Sequence, residues 1–177
     1  MDRRKKNIIE LTRIGLDDYR SSEKLPLKVV LDNVRSLNNV GSVMRTSDAF
    51  LVDEVLLCGI TGTPPNPEIH KTALGAEDSV RWSHHSDTVD ILRQLQSEGW
   101  KVCALEQTHN SVHLNSFSAA KEEKYLIVAG NEIHGVDQRV VDLADIVLEI
   151  PQHGTKHSLN VSVSTAIAIW HFFTALH

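Results

Sequence analysis

Five short stretches of the chain are continuous apolar runs, not apolar–polar alternations. They cover residues 27–31, 54–58, 100–105, 125–129 and 145–150. Runs of this length and kind predict strands buried on both faces. Between them the apolar positions fall into a helical rhythm. Residues 40–51 form one such segment and residues 136–144 another. The clearest is 86–98, where Val89, Leu92 and Leu95 make a stripe, Ser86 or Asp87 offers a cap, and Gly99 follows as a stop. Strands and helices in alternation predict an α/β fold: a mostly parallel sheet with helices on both sides.

Two segments stand outside this alternation. Residues 1–20 scatter Ile8, Leu11, Ile14 and Leu16 among charges, which predicts an amphipathic N-terminal helix. Residues 158–177 are apolar on nearly every side, with Val161, Val163, Ile167, Ile169, Trp170, Phe172 and Phe173. A helix apolar all round must be covered all round, and a second subunit is the expected cover. Residues 61–67 hold three prolines and read as a loop, and there is neither an internal repeat nor a low-complexity linker.

Composition narrows the picture. The chain has 177 residues, the size of one domain, with a basic extension expected over 1–24 and the folded body over 25–177. Net charge is −5, so a blanket positive field for nucleic acid is excluded. Residues 1–24 nevertheless carry seven Lys and Arg against five Asp and Glu. Any nucleic-acid contact is therefore local, made by a few placed cations. No apolar run approaches the length of a membrane span, and the basic start is not followed by an apolar core like that of a secretory signal. Cys58 and Cys103 stand singly within apolar stretches and read as small buried hydrophobes, which points to a cytoplasmic protein.

Polar chemistry collects after three of the expected strands, where ligands bind in open α/β sheets. These segments are 32–46, 130–135 and 151–160. Gly130 and Gly135 have the spacing of a phosphate loop, but Val136-Asp137 follows where Lys and Ser or Thr are required. No Gly-x-Gly-x-x-Gly follows any strand, so a dinucleotide fingerprint is missing. His109 and His113, like His153 and His157, are four apart, yet neither pair has the Glu or Cys partners of a metal site, and no metal is expected. His171 reads as a satisfied core or interface histidine.

Three segments together resemble a known family. Asn39-x-Gly41-x-x-x-Arg45-Thr46, then residues 126–132 ending in Gly130-Asn131-Glu132, then Ile150-Pro151-x-x-Gly154-x-x-x-Ser158-Leu159-Asn160 match in order and spacing the three motifs of the SpoU/TrmH group of SPOUT RNA methyltransferases. Residues 71–76 resemble the segment between the first two motifs. Taken singly, Arg45 reads as a surface cation, Glu132 as an acid at a helix start, and Ser158-Leu159-Asn160 as an N-cap. Their coincidence at one sheet edge carries the resemblance.

The resemblance implies transfer of a methyl group from S-adenosylmethionine to a ribose 2′-hydroxyl of tRNA or rRNA, with tRNA preferred. It also implies a C-terminal trefoil knot and an active site shared across a homodimer. Arg45, Asn39, Glu132, Ser158 and Asn160 are the expected catalytic set, with Glu132 holding Arg45. Leu105, Gly130, Asn131, Ile150 and Leu159 are expected to wrap the cofactor, Gly130 by leaving room for its adenosyl group. Ile133 and Gln152 depart from the family pattern and bear on pocket shape. The separate N-terminal RNA-binding domain of longer relatives has no counterpart, leaving residues 1–24 for that task. The alternatives are a non-catalytic RNA-binding or assembly factor that retains the fold, and methylation of a base.

Overall fold

The computed structural model describes residues 3–7 and 9–177. Among the described residues seven strands form one sheet: β1 (Leu25–Asp32), β2 (Val52–Cys58), β3 (Trp82–His85), β4 (Trp100–Leu105), β5 (Val112–His113), β6 (Lys124–Ala129) and β7 (Ile146–Glu149). Their spatial order is β3-β2-β1-β6-β4-β7-β5, and every neighbouring pair runs parallel. The five apolar runs are thus β1, β2, β4, β6 and β7, with ends shifted by at most two residues. β3 and β5 are additions. Neither is an apolar run, because both lie at the ends of the sheet.

Alternate residues of each strand feed two separate cores, which is why the central strands read as runs. Val29, Leu31, Leu57 and Ile127 face one side, with α2 (Leu37–Ala49) and α7 (Val161–Leu176). Val30, Leu56, Leu126 and Val128 face the other, against α5 (Thr88–Ser97) and α6 (Gln138–Leu143). α5 follows its sequence signals closely. The Asp87 carboxylate accepts the Val89 and Asp90 N–H groups at 2.8 and 3.2 Å, and Gly99 leaves the helix at φ +86°. Cys58 and Cys103 are buried free thiols, and burial pushes each up to about 12.

Two expectations change. The proline-rich loop ends at residue 66: the Asn66 side chain caps α3 (Pro67–Ala73) by accepting the Glu68 N–H at 2.9 Å, and Pro67 opens the helix where no N–H is needed. A short α4 (Ala76–Ser79) follows. The single helix over 1–20 is also replaced. Its part before Arg3 and its Ile8 lie outside the described residues; the remainder holds a 3₁₀ turn at Ile9–Leu11 and α1 (Leu16–Ser21). Asp17 and Asp18 suit the start of α1, whose Tyr19 is buried in the core, while Leu11, Ile14 and Leu16 stay exposed.

Within this chain α7 is covered on one side only. Val161, Thr165, Ala168, Ile169 and Phe172 are buried, but Val163, Ile167 and Trp170 form an exposed stripe three and four residues apart. His171 packs tilted against Phe117 and edge-on against Phe172, and its Nε2 is buried with no hydrogen-bond partner among the described residues of this chain. No helix among the described residues is long and apolar enough to cross a membrane.

Candidate functional site

The carboxyl ends of β4, β6 and β7 open onto a cleft of about 700 Å³. Its walls are the 105–108, 129–136 and 148–161 segments. All five residues expected at the cofactor line it: Leu105, Gly130, Asn131, Ile150 and Leu159. Glu132, Ser158 and Asn160 line it as well.

Glu132 is the hub of its rim. One carboxylate oxygen accepts the Ser36 N–H and the Asn39 side-chain N–H, both at 3.0 Å, and the other accepts the Arg35 N–H at 3.0 Å. Partial burial pushes the carboxyl up, but these donors outweigh it and hold Glu132 below the ordinary carboxylate value. It is an ionised anchor with both oxygens occupied, not an acid at a helix start.

Asn39 sits in the first turn of α2, 8% exposed, behind the Ser36 N-cap. Its Oδ1 accepts from the Asn160 side chain at 3.2 Å. Asn160 in turn caps α7, accepting the Ser162 N–H at 2.9 Å and the Ser162 hydroxyl at 2.7 Å. One residue from each of the three motifs is therefore joined in a single hydrogen-bonded line. Gly41, two residues along α2, explains why α3 packs so closely: a Cβ there would collide with the Ile69 carbonyl and the Thr72 hydroxyl.

Two expectations about this site are corrected. Within this chain Glu132 does not hold Arg45. Arg45 lies six residues beyond Asn39, about 9 Å along the helix, on the solvent face of α2 with Asn38, Ser42 and Ala49. It is exposed, does not line the cleft, and has no polar partner among the described residues. Gly130 serves the loop, not an open space: a Cβ there would run into the Gly135 carbonyl and the Val136 nitrogen. Asn131 likewise spends its side chain on the protein, donating to the Asn33 carbonyl at 2.8 Å and accepting the Ile133 and His134 N–H groups.

These arrangements agree with the matched sequence model, described as the SpoU rRNA Methylase family, which spans residues 26–170. The chain belongs to the SpoU rRNA methylase family. It is 30% identical over 163 residues to the 23S rRNA (guanosine-2′-O-)-methyltransferase of Vibrio parahaemolyticus, with 91% of this chain and 64% of that protein covered. The chain thus spans just under two thirds of the length of such relatives. An AdoMet-bound rRNA methyltransferase from Sinorhizobium meliloti is similar in structure at a TM-score of 0.80 and 26% identity, over 92% of this chain and 60% of that one. The A. aeolicus TrmH/SpoU tRNA modifying enzyme reaches 0.79 at 26% identity, over 90% and 80%.

Two residues of the site have roles that the sequence reading missed, although Glu106 stood in a loop expected to wrap the cofactor. Glu106 accepts the Val136 N–H at 3.0 Å and the Gln107 N–H at 2.8 Å, while its own N–H donates to Leu148, so it ties three walls of the cleft together. A polar residue directly after the apolar run 100–105 is the signal that marks it. Buried Asp32, at the end of β1, accepts from Thr88 at 2.6 Å and from the Asp137 N–H at 3.0 Å, locking the 33–36 loop to α5 and α6. Among the described residues no group of three or more His, Cys, Asp or Glu is placed to hold a metal.

Proposed function

We propose that this chain transfers a methyl group from S-adenosylmethionine to a ribose 2′-hydroxyl of tRNA or rRNA, in the cytoplasm, as a homodimer. The observation that carries this reading is the Glu132–Asn39–Asn160 line along the rim of the cleft. A volume of about 700 Å³ falls within the range of about 300–1,000 Å³ for small-molecule sites. Its walls are largely loop backbone with Gly130 and Gly135, which suits a nucleoside held through main-chain groups. Leu105, Gly130, Ile150 and Leu159 would hold the cofactor, with Asn131 and Glu106 shaping their loops. Bound there, the cofactor supplies an electrophilic methyl group on a sulfonium.

The protein's task is then to orient the ribose and to stabilise charge on its 2′-oxygen. Ser158 and Asn160 border the place where the ribose would sit. Glu132, already ionised and saturated with donors, positions Asn39 and the 35–36 backbone. A guanidinium stays protonated, so Arg45 acts as a cation toward the developing alkoxide or the adjacent phosphate. Because Arg45 does not line the cleft of its own chain, it would serve the cleft of a second copy. The exposed Val163, Ile167 and Trp170 stripe on α7, which packs against α2, supports a dimer joined along these helices.

A trefoil knot in the C-terminal half belongs to the same reading. It is supported by the passage of segment 150–160 across the 105–108 loop, where Gln107 donates to the His157 carbonyl at 2.8 Å, before α7 returns to pack on β6 and β1.

Calorimetry with S-adenosylhomocysteine tests the reading: one site per chain is expected without RNA. Nuclease digestion and mass analysis of cellular RNA, with and without the gene, should reveal one lost ribose methylation. A folded protein silent toward millimolar ligand would favour the non-catalytic RNA-binding factor.

A further inference from the structure

Beside the cleft, three loops are stitched into one rigid rim. The Asn33 side chain accepts the Ile60 N–H at 3.2 Å, and the Asn33 carbonyl accepts from Asn131 at 2.8 Å. Asn131 accepts the Ile133 N–H at 2.9 Å, and Glu132 fixes the Arg35 N–H at 3.0 Å. The Thr61 hydroxyl closes the set by accepting the Val34 N–H and donating to the Leu31 carbonyl. Loops after β1, β2 and β6 therefore move as a unit, continuous with the wall of the cleft.

What this rim displays is unusual for a solvated surface. Ile60 is 67% exposed and Ile133 is 71% exposed, the two highest values among the large apolar side chains of the described residues. The same rim carries Arg35, whose backbone N–H is held by Glu132 while its exposed guanidinium has no polar partner among the described residues. Exposed apolar groups on the same rim as a cation anchored through its backbone suit a nucleotide, with an apolar face for its base and a positive charge for its phosphate. In a chain of net charge −5, such a cation is the kind of local contact that an RNA strand requires.

We propose that this rim holds the nucleotide next to the methylated one, with Arg35 on its phosphate and Ile60 against its base. The assignment rests on the ribose-methylation reading for the identity of the strand and adds a determinant of RNA choice outside the three motifs. Arg35 is a positioning residue for substrate, not a catalytic one.

Binding of a mixed-sequence, fluorescein-labelled 12-mer RNA, followed by anisotropy across a salt series, tests the assignment. Losing one phosphate contact lowers the slope of log affinity against log salt by about 0.7 for a single strand. Arg35→Ala is expected to show that loss, Arg35→Lys to restore it, and Arg93→Ala, on the solvent face of α5, to leave the slope unchanged. Ile60→Ser is expected to weaken binding a few-fold with the slope unchanged. With methylated RNA as the readout, Arg35→Ala should raise KM and spare both kcat and S-adenosylhomocysteine affinity. An unchanged slope in Arg35→Ala, or no binding of the 12-mer by the unmodified protein, overturns the rim. Arg35-dependent binding without any methyl transfer to total cellular RNA would instead sink the ribose-methylation reading and leave the rim standing.

Discussion

The Asn160 side chain donates to the Asn39 side chain at 3.2 Å, joining residues 121 positions apart at the starts of α7 and α2. Both residues also serve their own helices, Asn160 as the cap of α7 and Asn39 within the first turn of α2. The contact ties the last motif to the first across the mouth of the cleft. It makes Asn39 a shared partner, since the same side chain donates to Glu132.

Asn39→Ala should therefore leave Asn160 and Glu132 each one partner short. Urea unfolding is expected to show a loss of about 1–2 kcal/mol. Turnover should fall further than stability accounts for, because the rim loses its alignment. An Asn39→Ala protein with unchanged turnover would remove Asn39 from the site.

Glu132→Gln places an amide against donors that need a carboxylate. At neutral pH it should destabilise by about 1 kcal/mol, at the low end because the group is partly open to water. The native carboxyl is held below its ordinary value, so the folded state binds fewer protons than the unfolded chain in the carboxylate range. Its contribution is complete above the ordinary value and is lost as pH falls through the lowered native one. The gap in urea midpoint between the two proteins should accordingly close as the medium becomes acid.

Gly130→Ala and Gly154→Ala form a matched pair. The first forces a Cβ into the 135–136 backbone; the second meets nothing within 4 Å. Gly130→Ala should lose S-adenosylhomocysteine binding together with thermal stability, whereas Gly154→Ala should keep both. Equal behaviour in calorimetry and melting would show that the 130–135 loop tolerates a side chain.

Arg45→Ala should leave cofactor affinity within a few-fold while lowering turnover by about 10²–10³, the scale for one lost electrostatic stabiliser. Arg45→Lys should recover little if the planar fork matters. Unimpaired methylation of the true RNA by Arg45→Ala would leave Arg45 as a solvent-facing helix cation.

Trp170→Asp sets a charge on the exposed stripe of α7, where Trp170 is 53% exposed and stacks on Phe173. Light scattering of the unmodified protein should report twice 19.8 kDa at micromolar concentration, and the variant should report monomer. A monomeric unmodified protein would remove the dimer and, with it, the service of Arg45 to a second cleft.

The sequence by itself determined the layered α/β plan and the three motifs at one sheet edge. Five strands were legible because a strand covered on both faces needs apolar residues at every position. The limits of α5 were legible because Asp87 and Gly99 act locally. The outer strand β3, with Trp82, Ser83, His84 and His85, was not, since a strand at the end of a sheet needs no such run. Nor was α3, whose start depends on Asn66 and Pro67 within a stretch otherwise typical of loops. Only the tertiary structure decided which partners the motif residues take. It gave Glu132 to the Arg35 and Ser36 backbone and to Asn39, not to Arg45, and turned Gly130 toward its own loop. The Glu132 contacts depend on the meeting of segments nearly a hundred residues apart, the Gly130 contact on the closing of the 130–136 loop, and no spacing along the chain records either.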